Sequence, residues 1–572
     1  MIDETFNPMP DFLPPGRFMT NDEAVDYGCA LASSVEPILS RLERDLPGRR
    51  REMRFTPVLA TFLAFKVQEP KRDPKLADVA RWAGSLNHAQ RRRLGLPNRE
   101  WTYFAYQSAF RRLCQELEPE GSDRRVDAFG TVLMERNANL PTLDAFVNTL
   151  VAASAKLPAW LGRLPMTPVQ AIDSTDIESH ARPRAWSAKP DSIDTYIPDD
   201  HSESDEWTDD ATNWPKVGHL DGRKIVAPDL QARIGWRTRN DDRSTNAFNG
   251  YDAHLLVDAG RPGLQYWVPL IRGIALRPAG SYKAQAGLDL IDSLPERSFT
   301  HLAADRGYSH AVPDSWAHPL TDRGIIPIHD LHRNQRRPHP SQSMPGVIWI
   351  DGSLFPDALP TRLRKLPGFK ARASAEVLNE LHDLYDERAR WAFVPNRRYS
   401  NGDVQMKGPA RAGHLRCPNY APSHRLPAHV PRTTCKPGTD CACAATKVIP
   451  ANEAAWERQR YPFGTTKWAS YYGLRNLVES DNAQLKFWRG SMRRHSTHVF
   501  GVTANTLVLA FNCIAVNISM LRDTYGEDVD PTAPDYPQHR APRRRRLPKT
   551  PALHLRKKTQ RNTTAQRTRR HT

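Results

Sequence analysis

Short apolar runs separated by turns recur within residues 166–330, and this pattern predicts a sheet. The first run ends at Asp173, and the fourth ends at Asp305, just before a glycine-containing turn. The second and third runs flank a turn at 260–263, so we expect them to pair as antiparallel strands. The predicted elements are, in order, strands at 169–175, 250–258 and 266–276, a helix at 283–294, a strand at 299–304, a helical linker and a strand at 324–328.

A later segment, residues 471–486, contains no proline and spaces its apolar residues as one side of a helix does. Four polar residues share one face of this predicted helix, within about 60° of arc: Tyr472, Arg475, Glu479 and Lys486. That face offers a carboxylate, two cations and a phenol, a set that can hold a divalent metal together with a phosphate. A solvated face with an ordinary Arg-to-Glu (i, i+4) pair explains the same spacing.

The first 165 residues are predicted to form a helical domain. Apolar spacing predicts helices at 76–82 and 101–117, with the basic cluster Arg91-Arg92-Arg93 between them. Two amphipathic helices joined by a basic turn are typical of a helix-turn-helix that binds DNA. A helical packing domain with solvated arginines fits the pattern equally well.

Residues 331–460 differ in composition from the preceding region, because they are rich in proline, arginine and histidine. Plain loops of this length are rare, so an inserted subdomain is expected here, with a strand at 347–350. It holds four of the seven cysteines of the chain: Cys417, Cys435, Cys441 and Cys443.

The four cysteines lie near three histidines in sequence, and together they could bind a structural Zn²⁺. Their spacing departs from the common paired Cys-x-x-Cys form, and reduced surface cysteines are the alternative. The histidines are His414, His424 and His429. The other cysteines, Cys29, Cys114 and Cys513, have apolar helical surroundings and are interpreted as core residues.

Charge is distributed unevenly along the 572 residues. The formal net charge is +17, but residues 540–572 alone carry 13 Lys and Arg and no acid. The remaining residues hold 68 bases and 64 acids, so a nucleic-acid site in the folded part must be a local arrangement. We expect the tail to be disordered and to contact DNA phosphates without sequence preference. The alternative is a tail that only keeps the protein soluble. Residues 191–210, with nine acids and no base, are interpreted as a solvated excursion.

Seven cysteines in a chain of this length do not suggest a disulfide scaffold, so a reducing compartment is expected. The amino terminus lacks the basic-then-apolar order of a signal peptide. The apolar segment 499–516 is interrupted by polar residues and belongs to a helix predicted at about 498–522. We interpret this helix as buried in the core and expect a cytoplasmic protein that does not enter membranes.

Three acids complete the candidate chemistry: Asp173, Asp305 and Glu479. If neighbouring strands deliver the aspartates and the helix crosses the sheet, the carboxylates can converge on two Mg²⁺ or Mn²⁺ ions about 4 Å apart. Such a site cuts and rejoins phosphodiesters. Asp176 and Glu178 compete for the first position, but Asp173 is preferred because it directly ends the apolar run.

These residues resemble the DDE transposases of bacterial insertion sequences. The group in question has the signature Tyr, two residues, Arg, three residues, Glu, six residues, Lys, which the helix at 471–486 matches without departure. The stretch 172–175 is similar to the family's first-Asp motif and 305–308 to its second, while Gly250-Tyr251 with His254 is similar to its second strand. The resemblance covers about residues 165–330 and 460–525.

The resemblance implies an α/β fold with a ribonuclease-H-like mixed sheet flanked by helices. It also implies that Asp173, Asp305 and Glu479 bind the metals, while Tyr472, Arg475 and Lys486 grip the phosphates of the transposon end. His254 could face the site, but a structural, hydrogen-bonded histidine is preferred. The expected regions are a helical DNA-binding domain at 1–165, the first part of the catalytic domain at 166–330, the inserted subdomain between the second Asp and the Glu at 331–460, the helical completion of the catalytic domain at 461–530 and a basic tail at 531–572.

By the same resemblance, the function is that of a transposase. It would bind the terminal inverted repeats of its element, cleave there with metal ions and join the 3′ ends to target DNA, as a homodimer on DNA in the bacterial nucleoid. Two alternatives stay open: a catalytically inactive, transposase-derived DNA-binding protein, and a metal-dependent nuclease without strand transfer.

Overall fold

The computed structural model describes most of the region between residues 19 and 525. The described residues are 19–44, 53–97, 102–118, 125–126, 132–133, 140–155, 164–181, 218–220, 223–225, 228–229, 231–236, 247–263, 267–281, 283–309, 311–332, 334–369, 373–493 and 496–525. The acidic segment 191–210 and the tail at 531–572 lie outside them.

The described residues of the amino-terminal part are mostly helical, and helices are present where 76–82 and 101–117 were predicted. Its elements are α1 (Asn21–Ser33), α2 (Glu36–Arg44), α3 (Phe55–Gln68), α4 (Leu76–Ser85), α5 (His88–Arg93), α6 (Tyr103–Leu117) and α7 (Leu140–Ser154), with the two-residue strands β1 (Arg125–Val126) and β2 (Val132–Leu133). The basic cluster at 91–93 was expected to form a turn. It instead forms the last three residues of α5. A capping box between Asn87 and Gln90 begins this helix, because each side chain bonds the other's backbone N–H.

A mixed sheet occupies the centre of the chain, and every strand predicted for 166–330 is confirmed. Its strands are β3 (Val169–Glu178), β6 (Arg233–Trp236), β7 (Ala247–Gly260), β8 (Ile271–Pro278), β9 (His301–Ala304) and β10 (Ile326–His329), while β4 (Gly218–Leu220) and β5 (Arg223–Ile225) form a separate pair. The order is β10-β9-β3-β7, and both β8 and β6 pair with β7. Strand β7 pairs antiparallel with β3, β6 and β8. Strand β9 pairs parallel with both β3 and β10.

Helices cover both faces of the sheet. One face carries α8 (Lys283–Asp292), α9 (Arg306–Ser309) and α10 (Ala317–Asp322), whose buried residues form a core with Ile172 and Leu256. The other face belongs to a larger core that includes α3, α7 and the long helix at Val502–Tyr525. Among the described helices, Val502–Thr524 is the one long and apolar enough to cross a membrane, and 94% of its most apolar window is buried inside the protein.

The expected inserted region contains two small sheets and two helices, and the strand predicted at 347–350 is confirmed. The elements are β11 (His339–Pro340), β12 (Val347–Ile350), β13 (Ser353–Pro356), α11 (Thr361–Arg364), α12 (Ala375–Ala389), β14 (Val394–Arg398), β15 (Val404–Lys407) and β16 (Thr446–Ile449). Helix α12 buries Leu381 and Tyr385 against Trp468 and against Ala303 of the central sheet.

The helix predicted at 471–486 is present, but it starts earlier and changes its hydrogen-bonding pattern three times. It runs as α13 (Thr466–Tyr472), a 3₁₀ turn (Gly473–Arg475), α14 (Asn476–Ala483) and a π-helical turn (Gln484–Trp488). Thr465 caps its start by accepting a hydrogen bond from the Trp468 N–H. The long helix Val502–Tyr525, α15, follows it and closes the core.

Candidate functional site

Two parallel strands deliver Asp173 and Asp305 side by side. Ile172 of β3 lies opposite Ala304 of β9 in the register, and each is followed directly by its aspartate. Neighbouring strands are about 4.8 Å apart, so the two carboxylates leave the sheet close together. Burial, followed by the charge of Asp305, raises the pKa of Asp173 to about 6, although Arg475 acts in the opposite direction.

The turn after β9 fixes the orientation of Asp305. Its Oδ1 accepts a hydrogen bond of 2.9 Å from the Gly307 N–H. A Cβ at position 307 would lie 3.1 Å from that same oxygen and 3.2 Å from the Nζ of Lys283. A larger residue at 307 would therefore crowd both side chains, and one of them would have to shift by a few tenths of an ångström.

Arg475 lies between the first and third acids of the predicted set. Its Nη1 is 3.2 Å from Oδ2 of Asp173, and its Nη2 is 2.7 Å from Oε1 of Glu479. The Asp173 side chain is 14% exposed, whereas that of Glu479 is 55% exposed. One guanidinium therefore links a buried carboxylate on the sheet to an exposed one on helix α14.

The three acids approach one another without forming a single cluster of ligand atoms. Within the part of the chain that the structure describes, four cysteines are the one group of three or more such residues with ligand atoms all within 4.8 Å of one another. The carboxylates nevertheless fit hard divalent cations, since an ion would relieve the repulsion between Asp173 and Asp305. For Glu479 to share an ion with Asp173, the Arg475 guanidinium must first leave the space between them.

Tyr472 and Lys486 are the other two residues of the signature, and each contacts a different neighbour: Tyr472 contacts Trp468 and Lys486 contacts Asp176. The Tyr472 ring stacks on Trp468 at 4.8 Å, and burial raises the pKa of its phenol to about 12, so it is a neutral donor. Lys486 places its Nζ 3.2 Å from Oδ1 of Asp176, and its side chain is 15% exposed. In this structure Lys486 thus neutralises a carboxylate on β3.

Asp173 and Asp176, the two candidates for the first acid, have different ion-pair partners: Arg475 for Asp173 and Lys486 for Asp176. Asp176 lies opposite Asp252 of β7, three residues further along β3 than Asp173 and beyond the end of the pairing with β9 at Ile172. Burial and the nearby Asp176 raise the pKa of Asp252, whose Oδ2 accepts a hydrogen bond from the Gly280 N–H. Asp173 is therefore the residue of this strand that stands next to Asp305, as its position at the end of the apolar run predicted.

His254 has the structural role that was preferred for it. It is fully buried on β7, and its Nδ1 lies 2.7 Å from the hydroxyl of Tyr308. Burial lowers the pKa of its imidazole well below the usual range, so the ring is neutral.

Sequence reasoning missed Lys283, the first residue of α8. Its charge lowers the pKa of Asp173, and its Nζ approaches Gly307 beside Asp305. The lysine therefore supplies a second cation to the paired aspartates. No spacing signal connects residue 283 with residue 173 or 305, because the contact arises only when α8 packs on the sheet.

A second cluster lies in the inserted region, where Cys417, Cys435, Cys441 and Cys443 come together and could hold a metal ion such as zinc. The three neighbouring histidines of the sequence are not part of this group.

Comparisons with protein-family models and with curated proteins find no match for this chain.

Proposed function

We propose that this chain is a DDE transposase that binds the ends of its own element, cleaves DNA there and joins the 3′ ends to target DNA. The observation that carries this proposal is the register of β3 and β9, which sets Asp173 beside Asp305. Arg475 then connects this pair to Glu479 on the signature helix. Residues 302 positions apart along the chain are thus in contact, which supports the proposal.

The strand arrangement supports the finer fold assignment, a ribonuclease-H-like core. Three strands, β3, β7 and β8, pair antiparallel in succession, and β9 and β10 extend the sheet in parallel from β3. Asp305 directly follows the last residue of β9, and Asp173 lies within β3, one residue beyond the end of its pairing with β9. Helix α14 packs against β3 and β7, and the 3₁₀ turn before it also contacts β9.

Each residue of the site then has a role in binding or in holding charge. Asp173, Asp305 and Glu479 would hold two Mg²⁺ or Mn²⁺ ions, which when bound supply an activated water or 3′-hydroxyl and stabilise the leaving oxygen. Arg475 and Lys486 bind phosphate oxygens once they exchange their carboxylate partners for DNA. Tyr472 donates its phenol hydrogen to a phosphate, because its raised pKa keeps it protonated.

The partners follow from this chemistry. Transposon ends and target DNA are the substrates, and two copies of the chain hold the two ends. We propose the cytoplasm, at the nucleoid, as the place of action. A helix-turn-helix role for α4 to α6 remains a prediction, as does phosphate contact by the tail.

Cleavage and joining assays test the proposal. The full chain is incubated with Mg²⁺, labelled DNA carrying the ends that flank its coding sequence, and a target plasmid. Joined product is the expected result. Nicked but unjoined DNA would indicate the nuclease alternative, and DNA that is bound but uncut would indicate an inactive DNA-binding relative.

A further inference from the structure

The segment that connects β15 to β16 is long and has few regular elements. These two strands pair antiparallel, Val404 opposite Ile449 and Lys407 opposite Thr446, so residues 408–445 form one elaborate hairpin connection. Its helical elements are two short 3₁₀ turns, Ala421–Arg425 and Ala442–Ala444. Connections of this length need some source of order beyond backbone pairing.

The apolar core of this segment is too small to supply that order. The buried cluster at its centre consists of Ala410, Cys417 and Cys443. Segments that cannot bury a sufficient core are commonly stabilised by disulfides or a structural metal. All four cysteines of the segment converge on this cluster, with Cys435 and Cys441 partly buried against it.

The sulfur positions distinguish between a disulfide and a metal site. Sγ of Cys417 lies 3.4 Å from Sγ of Cys441, and Sγ of Cys435 lies 3.7 Å from Sγ of Cys443. A disulfide has an S–S length of about 2.05 Å, which is far shorter than either distance. Four thiolates at about 2.3 Å around one Zn²⁺ form a tetrahedron whose edges are about 3.8 Å. The two measured edges lie near this value and all four sulfurs lie within 4.8 Å of one another, an arrangement that can close around one ion.

We propose that Cys417, Cys435, Cys441 and Cys443 bind one structural Zn²⁺ that fastens the connection between β15 and β16. All four ligands are thiols, the donor set that selects zinc over magnesium or calcium. The site is closed, with four protein ligands and no position for a substrate. It is independent of the carboxylate site, whose hard oxygens select a different class of metal.

The surroundings of the thiols fit a metal centre of this charge. Zn²⁺ with four thiolates carries a net charge of −2, and residues 408–445 contain five Lys and Arg against one acid. The loop that presents Cys417 is held on both sides, because its N–H donates to the Ser423 hydroxyl and its carbonyl accepts from the Tyr420 N–H. Asn419 braces the next turn by accepting a 2.8 Å hydrogen bond from the Gly438 N–H. Such supporting bonds orient metal ligands.

Metal content of the purified full chain is the first test. We expect about one Zn²⁺ per chain after dialysis against a weak chelator, and loss of nearly all of it in the double variant Cys441→Ser/Cys443→Ser. The matched control is Cys29→Ser, which changes a thiol outside the cluster and can keep the donor to the Arg93 carbonyl. Equal zinc content in the double variant and the control would overturn the proposal.

A spectrum of the unchanged chain keeps the test decisive if the double variant does not fold. Replacement of the metal by Co²⁺ should give the intense visible bands of a tetrahedral site and a thiolate-to-cobalt band in the near ultraviolet. Chelation should also speed trypsin cleavage at Arg411, Arg425 and Arg432, which are exposed within the connection. A chain that binds no zinc and shows neither cobalt band would contradict the proposal. None of these readouts involves DNA, so they are separate from the test of the transposase function.

Discussion

Glu479 is the exposed member of the acid set. Among the described contacts, its link to the sheet is Arg475, which donates hydrogen bonds to both Glu479 and Asp173. Glu479→Gln preserves the shape of the side chain while removing its charge and its value as a ligand. We expect cleavage of end-containing DNA to fall by more than about 100-fold, the upper end for a residue that merely supports a metal ligand. DNA binding, measured by mobility shift, should change little.

The control for this variant makes the same chemical change elsewhere. Glu380→Gln lies on the exposed side of α12, outside the site, and should leave cleavage unchanged. If Glu479→Gln still cut DNA at the rate of the control, Glu479 would not belong to the catalytic set.

The raised pKa of Asp173 gives the site a pH dependence. Burial and Asp305 raise this pKa to about 6, so below that pH the folded protein holds a neutral carboxylic acid, which is a poor ligand for Mg²⁺. Mg²⁺ affinity should therefore be constant above the pKa and should weaken by about tenfold per pH unit below it, as binding displaces one proton. Titration calorimetry at several pH values measures this, and an affinity that did not change between pH 5 and 7 would contradict the assignment.

At the scale of elements, the inserted region holds the start of the signature helix. Asp386 of α12 accepts hydrogen bonds from the Thr466 N–H, at 3.1 Å, and from the Thr466 hydroxyl, at 2.6 Å. His382, one turn earlier, lies 2.7 Å from the Gly464 carbonyl. An insertion of this size therefore also positions the helix that carries Tyr472 and Glu479.

Removal of the Asp386 carboxylate should loosen that helix. Asp386→Ala is expected to lower the free energy of unfolding by about 1 kcal/mol, as the loss of a helix cap does, and to reduce DNA cleavage. Asp383→Ala, at an exposed position of the same helix, should do neither. Chemical denaturation of both variants compares them, and equal stabilities would show that the contact is unimportant.

Local pattern predicted the elements well because each strand of the central sheet is an apolar run with its own turn signals. Asp173 and Asp305 were identifiable for the same reason, since each ends such a run. The cluster at 91–93 was misassigned because arginines form helices as readily as they occupy turns, and the Asn87–Gln90 cap decided the outcome. Lys283 and the place of Arg475 between two acids could not be predicted, because both depend on how helices dock on the sheet.

At the scale of the whole molecule, one core joins the amino-terminal helices to the central sheet. Buried residues of α1, α3 and α6 belong to the same cluster as those of β7, β8 and α15. The fully buried Lys66 of α3 crosses this junction, donating hydrogen bonds to the Pro70 and Arg72 carbonyls and to the Ser491 hydroxyl, at 2.7 to 2.8 Å. We therefore expect the described parts of both regions to unfold together.

Lys66→Met tests this junction. It fills similar volume but removes the donor from one buried hydroxyl and two partly buried carbonyls, so the free energy of unfolding should fall by about 1–3 kcal/mol. Calorimetry should show a single transition that moves as a whole. Lys71→Met, at an exposed position, is the control. Two separate transitions, with only one of them shifted, would show that the two regions fold independently.

Diffraction from crystals of the full chain with its end DNA and Mn²⁺, grown above pH 6, tests the central claim most directly. We predict two anomalous peaks about 4 Å apart at Asp173 and Asp305, with Glu479 bound to one of them and Arg475 moved onto a DNA phosphate. No anomalous peak at these carboxylates, with Arg475 still joining Asp173 to Glu479, would contradict the claim that the three acids form a catalytic metal site.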